Sequence, residues 1–393
     1  MSREIGIVGA SAAGLFTAQL LSQAGRRVRV FECSEDFDPK PRTLIVTSFL
    51  NDILGPAADT AVVNQIRTFE LFTDGRRAGI TLRRPDLVIE RTKLIHGLAA
   101  AAQASGTEVL LGRRFLGMEH RGGKLALNVE RSSDGISEDV RVDTVVGADG
   151  TASRVAKVAG WPAQKSVSLV QATVRLPQGL SPDTTRVWFI PDDTPYFYWL
   201  IPDSPTRGVV GLIGEDGPAA RRALDRFMEK RDFTPLEYQA ARIPVYSKWV
   251  PIRRRIGNSD VYLVGDAAGH VKVTTVGGIV TGFRGAHGVA EAILNGGPGY
   301  KLRALQRELG VHLLIRKFIH NFTQAHYSQV VDLLGERARK DLETYTRDEP
   351  GRVLWHLCLH QPRFLLLGLR AFLMGVRTPR ARDEAQPAVT VRT

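Results

Sequence analysis

The chain opens with a change of hydrophobic period. Glu4–Val8 (EIGIV) is a short apolar run, Ala12–Gln23 is a longer segment of helical character, and Arg27–Phe31 (RVRVF) is a second short run. This order predicts strand, helix and strand, a β-α-β unit. Two later runs have the same form. Asp143 starts a strand that ends in Gly147-Ala148-Asp149-Gly150, before a basic helix start that reaches Lys157. Val261 starts another, which runs into Gly265-Asp266. Between about 161 and 254, stretches such as SVSLVQATVRLP, TTRVWFIP, YFYWLIP and RGVVGLIG alternate apolar residues and are broken by turn residues. They predict an antiparallel sheet with one covered face, plus one helix near Arg221–Lys230. Helices are expected through 300–377, and the polar end, 378–393, reads as a disordered tail.

The expected fold class is therefore α/β: a Rossmann-like domain, an inserted antiparallel β-sheet substrate domain and a C-terminal helical region. The nucleotide domain is discontinuous, over 1–55, 86–160 and 255–300. Residues 161–254, with 56–85, make the substrate domain, and 301–377 the helical region.

Composition narrows the class. With 43% hydrophobic and 24% charged residues, the 393-residue chain has the balance of a soluble globular protein and can form a full core. The net charge of +12 fits either an ordinary solvated basic surface or a nucleic acid, an anionic membrane or an anionic substrate as partner. No aromatic stacking platform is interleaved with basic residues, so nucleic acid is set aside. Two cysteines, Cys33 and Cys358, make neither a disulfide framework nor a metal site by spacing, and suit a reducing compartment. The start MSREIGIVGA lacks a signal-peptide pattern, and no apolar run approaches the ~18 residues of a membrane span. The expectation is a cytoplasmic protein.

The first turn carries the chemistry. Gly9-Ala10-Ser11-Ala12-Ala13-Gly14 is a dinucleotide fingerprint with Ser11 in place of its middle glycine. Gly9 permits the tight turn, a small residue at position 11 lets backbone approach a pyrophosphate, and Gly14 lets helix and strand pack closely. The helix start then offers unpaired N–H groups to phosphates. Glu32, 18 residues after Gly14, is placed to hold ribose hydroxyls, which favours FAD or NAD over NADP. Asp149 and Asp266 add two carboxylates at strand ends, where open α/β sheets bind ligands. A longer ligand than NAD needs such additions: Asp266 for a ribityl hydroxyl, and the backbone near Gly277-Gly278 against a flat flavin ring.

This set resembles the FAD pattern of the glutathione-reductase-like flavoproteins, and within them the geranylgeranyl reductase family and its group A monooxygenase relatives. The segment GDAAGHVKVTTVGGI, Gly265 to Ile279, is similar to the reductase motif except that Val273 replaces a proline. The resemblance implies FAD as cofactor, with Arg91 at the start of its helix touching it. It also implies that the aromatic stretch Phe197-Tyr198-Trp199-Leu200-Ile201-Pro202 lines a lipid pocket, although flavin halogenases carry a related motif. In place of the cysteine that the reductases carry beside the flavin, this chain has Arg42.

The expected reaction is saturation of C=C bonds in an isoprenoid chain on a lipid, quinone or prenyl diphosphate. The alternatives are an FAD monooxygenase, a flavin halogenase, or a non-catalytic flavin-binding membrane partner. Phe197, Tyr198 and Trp199 are candidate apolar walls, Tyr198 and His270 candidate proton donors, and Arg42 a candidate for a phosphate head group. The electron donor is NAD(P)H or a ferredoxin. Arg363, Arg370 and Arg377, seven apart beside a broad apolar face, fit either a helix lying at the inner face of the cell membrane, toward which the net charge tilts, or an ordinary buried closing helix with surface arginines.

Overall fold

The computed structural model describes residues 3–38 and 41–377, with side chains to Ala371. The expected tail, 378–393, and the side chain of Arg377 lie outside the described residues. In chain order the elements are β1 (Glu4–Val8), α1 (Ala12–Gln23), β2 (Arg27–Phe31), β3 (Thr43–Val46), α2 (Phe49–Leu54), β4 (Val62–Thr73), β5 (Arg76–Glu90), α3 (Arg91–Ala104), β6 (Glu108–Leu110), β7 (Arg113–Arg121), β8 (Lys124–Arg131), β9 (Ser137–Val142) and β10 (Thr144–Gly147). The second half continues with α4 (Arg154–Val158), β11 (Ser166–Arg175), β12 (Thr184–Trp188), β13 (Tyr198–Pro202), β14 (Arg207–Gly214), α5 (Gly217–Glu229), β15 (Pro235–Pro244), β16 (Arg253–Ile256) and β17 (Ser259–Leu263). It closes with α6 (Ile279–Asn295), α7 (Tyr300–Ile319), α8 (Gln324–Leu333), α9 (Glu336–Thr344), α10 (Pro350–His360) and α11 (Arg363–Arg377).

The first sheet has the order β16-β17-β10-β1-β2-β6, parallel except at β16. Val8 pairs with Gly147, and Gly147 with Leu263, so three strands far apart in sequence end side by side. Gly9, Ala148 and Gly265 therefore emerge at one edge of the sheet. Parallel strands covered on both faces read as apolar runs, which is why these segments were legible. Their core joins Ile5, Ile7, Val28, Val30, Val145 and Leu263 to α1, α3 and α6.

The second sheet runs β15-β11-β14-β13-β12-β4-β5-β3. It corrects three expectations. It is not wholly antiparallel, because β12 lies parallel to β4. It takes in Thr43–Val46 and the end of β5 through Glu90, residues assigned from sequence to the nucleotide domain. And it is covered on both faces at its centre: every residue of β13 is buried. Helix α5 packs Ala220, Leu224, Phe227 and Met228 on the outer face against Tyr198, Leu200, Val210 and Leu212. The inner face turns Trp199, Ile201, Val209 and Ile213 toward the first domain. Strands β7-β8-β9 form a small third sheet that the hydrophobic pattern did not reveal.

Candidate functional site

The two domains enclose a cavity of about 700 Å³. Its nucleotide-side wall includes Ser11, Ala12 and Ala13 at the start of α1, Arg42, Arg91, Gly265-Asp266, and Gly277-Gly278-Ile279 at the start of α6. Its other wall is mostly apolar and includes Phe69, Leu169, Phe197, Trp199, Ile315 and Ile319.

The fingerprint turn folds as its glycines require. Gly9 has φ +100°, and a β-carbon there would lie 2.6 Å from the Ala148 carbonyl oxygen. A β-carbon on Gly14 would lie 2.4 Å from the Gly9 carbonyl oxygen, so helix and turn touch through bare backbone. Ser11 caps α1, its hydroxyl accepting from the Gly14 N–H at 3.2 Å. Glu32 accepts from the N–H of Ala10 at 2.6 Å and that of Ser34 at 3.0 Å, tying the end of β2 to the turn.

Arg42 and Arg91 face Asp266. Burial pushes the Asp266 carboxyl up while the two guanidiniums pull it down. Arg42 is pushed down to about 10, first by burial and then by Arg91. Its Nε is buried with no hydrogen-bond partner among the described residues. A buried guanidinium N–H is costly to leave unpaired, so this atom marks a place for an acceptor. The N–H groups of Ser11–Ala13, the charged groups of Arg42, Arg91 and Asp266, and the bare backbone of Gly277-Gly278 are chemically suited to hold a flavin dinucleotide.

Three expected site residues stand elsewhere. Tyr198 turns away from the cavity, because successive residues of a strand point to opposite faces. Phe197 and Trp199 face inward, while Tyr198 stacks on Phe227 at 4.1 Å and donates to Asp193 at 2.9 Å. Burial, then Asp193, push its phenol well above the ordinary range, so it is a packing residue. His270 is fully buried beneath α6: a β-carbon on Gly285 would lie 2.1 Å from its Nδ1, and Trp249 stacks on it at 5.7 Å. Burial lowers its pKa to about 4, so it is neutral near pH 7 and carries no proton to donate as an imidazolium. Asp149 folds onto the start of α4, accepting from the Ser153 hydroxyl at 2.6 Å and the N–H groups of Arg154 and Val155 at 2.7 and 3.0 Å.

Other wall residues carried no local signal. Lys272, within the VKVTT segment, is buried and paired with Asp348, which also accepts from the Thr47 hydroxyl. Lys272 and its neighbours hold the carboxylate at about 2, against the burial that would raise it. Arg347, beside Asp348, pairs with buried Asp86. Arg316 lies over the ring of Tyr196, 3.9 Å from its centre, and donates to the Pro195 carbonyl at 2.9 Å. Between Lys272 and Gly277 the chain makes a tight loop in which Val276 has φ +54°, a strained conformation for a β-branched residue. The connection between α9 and α10 thus clamps the strained loop that leads into Gly277-Gly278. Neither Cys33 nor Cys358 borders the cavity.

Residues 2–296 match the FAD binding domain family. A digeranylgeranylglycerophospholipid reductase 2 of Methanothermobacter thermautotrophicus is 34% identical over 204 residues, and that match spans only about half of either protein (49% of this chain, 51% of the relative). A digeranylgeranylglycerophospholipid reductase of Methanocaldococcus jannaschii is 24% identical over 360 residues, 85% of this chain and 90% of the relative. The fold matches a geranylgeranyl bacteriochlorophyll reductase-like protein of Thermoplasma acidophilum with a TM-score of 0.77 at 19% identity, covering 94% of this chain and 99% of that one. It also matches aklavinone-11 hydroxylase, solved with FAD and aklavinone, with a TM-score of 0.60 at 19% identity, over 84% and 70%. With its fingerprint turn, converging strand tips and matched domain, the chain belongs to the FAD binding domain family and is an FAD-dependent oxidoreductase.

Proposed function

We propose that this protein saturates carbon–carbon double bonds in an isoprenoid chain carried by a lipid, a quinone or a prenyl diphosphate. The observation that carries the reading is the apolar chamber that opens from Gly277-Gly278 and Arg42 along Phe197, Trp199, Ile315 and Ile319. Each methylene buried there contributes about 0.8 kcal/mol, which suits a long hydrocarbon better than a compact polar substrate. The names of the relatives support the same class.

FAD held at this site would supply hydride chemistry, with NAD(P)H or a ferredoxin as the source of electrons. The residues bind, orient and exclude water. Ser11–Ala13, Arg91 and Asp266 hold the nucleotide, Arg42 meets an anionic group at the boundary, and Phe197 and Trp199 lay the alkene alongside Gly277-Gly278. The wall phenols of Tyr196 and Tyr327 stay protonated, since burial raises both, Tyr327 to about 12. A protein acid or a trapped water protonates the second alkene carbon.

Peripheral membrane binding belongs to the same proposal. No helix among the described residues is long and apolar enough to cross a membrane. Trp355, Leu359, Leu365, Leu366 and Leu369 of α10 and α11 are exposed, with Arg363 and Arg370 on the same pair of helices. This surface suits the face of a bilayer that holds the substrate. The test is anaerobic turnover of extracted prenyl lipids with a chemical reductant. Products heavier by two hydrogens per double bond support the reading. A strict demand for oxygen, with hydroxylated or halogenated products, overturns it.

A further inference from the structure

Helices α9 and α10 form a hairpin away from the flavin strands. Asp341, on α9, lies opposite His356 and His360, one turn apart on α10. The Asp341 carboxylate is buried and lies 2.7 Å from Nδ1 of His360. The rings of His356 and His360 are 5.8 Å apart, and Tyr345 stacks on His356 at 4.6 Å, fixing that ring from behind. One ligand atom from each of the three residues lies within 4.8 Å of the others. Ligands of one zinc at about 2.0–2.1 Å lie roughly 3.3 Å apart in a tetrahedron, so small side-chain rotations close the set. Two imidazoles at i and i+4 with one carboxylate match the donors zinc takes, and exposed His360 leaves the remaining position to water.

We propose that Asp341, His356 and His360 form a zinc site that staples α9 to α10. The staple has a structural consequence. Leu342, next to Asp341, and Arg347, in the connection between the helices, border the flavin-side cavity. The same connection carries Asp348, which holds Lys272 and the strained loop. Zinc bound between the two helices fixes the segment that walls the cavity. The proposal stands whether or not the substrate is an isoprenoid.

The test uses untagged full-length protein with its flavin, stripped with a chelator and titrated with zinc chloride. Cobalt(II) serves as a spectroscopic stand-in. One zinc per chain, a higher melting temperature with zinc, and slower amide exchange across 341–360 are expected. Removing a partner that merely supports a ligand costs roughly 10–100-fold in metal affinity, so H356Q, H360Q and D341N should each lose at least about tenfold. Their flavin spectra should match the stripped wild type. The proposal is overturned if the stripped wild type takes up no zinc, or if the H356Q/H360Q double variant binds zinc as wild type does. H360Q, at an exposed position, decides the matter should the double variant not fold.

Discussion

Replacing Lys272 by Met tests the clamp between the C-terminal helices and the flavin loop. The side chains of Lys272 and Asp348 are 5% and 0% exposed. Removing the ammonium leaves a buried carboxylate held by the Thr47 hydroxyl and by the field of Arg347. Breaking a buried pair from one side costs about 3–5 kcal/mol. The pH dependence follows from Asp348. Its folded pKa, about 2, lies below its ordinary value of 3.8. This depressed carboxylate therefore contributes stability that is fully present above pH ~4 and is lost as pH falls toward 2, about 2 kcal/mol in all. In K272M the Asp348 pKa rises toward its ordinary value, so the acid-dependent loss that this carboxylate contributes shrinks. The assay is urea unfolding, monitored by flavin release and by circular dichroism, for wild type, K272M, D348N and the double variant. The double variant should lose less than the sum of the singles, with a coupling of about 1–3 kcal/mol. Strict additivity, or a K272M protein as stable as wild type with an unchanged acid limb, would refute the clamp.

Three further outcomes are expected. His270, held at about 4 against an ordinary 6.5, contributes stability that is present above pH ~6.5 and falls by roughly 3 kcal/mol as pH drops toward 4; H270L should flatten that part of a thermal-melt pH profile. Y198F should lose about 1 kcal/mol, because its hydrogen bond to Asp193 is removed, and should leave kcat unchanged; a large drop in kcat would place the phenol back in the chemistry. G211A brings a β-carbon within 2.5 Å of the Trp199 ring and 2.6 Å of Gln171, so it should push the indole into the cavity and raise KM for long prenyl chains more than for short ones.

The sequence by itself determined the β-α-β unit and the placing of its fingerprint. A tight turn, a small residue and a close helix contact are demands on single positions. Gly9, Ser11 and Gly14 meet them locally, and the bounds of β1, α1 and β2 follow from the hydrophobic period alone. Gly265-Asp266 and Gly277-Gly278 were legible for the same reason. What only the tertiary structure decided concerns direction and partnership. The alternation of β13 separates Tyr198 from Phe197 and Trp199, but nothing local says that α5 covers the other face. A motif segment showed His270 and Lys272 only as neighbours. Helix α6 passing over the ring makes His270 inert, and Asp348, 76 positions away, makes Lys272 a clamp. Such roles come from charges and rings brought together by packing, and packing between distant segments leaves no period in the chain.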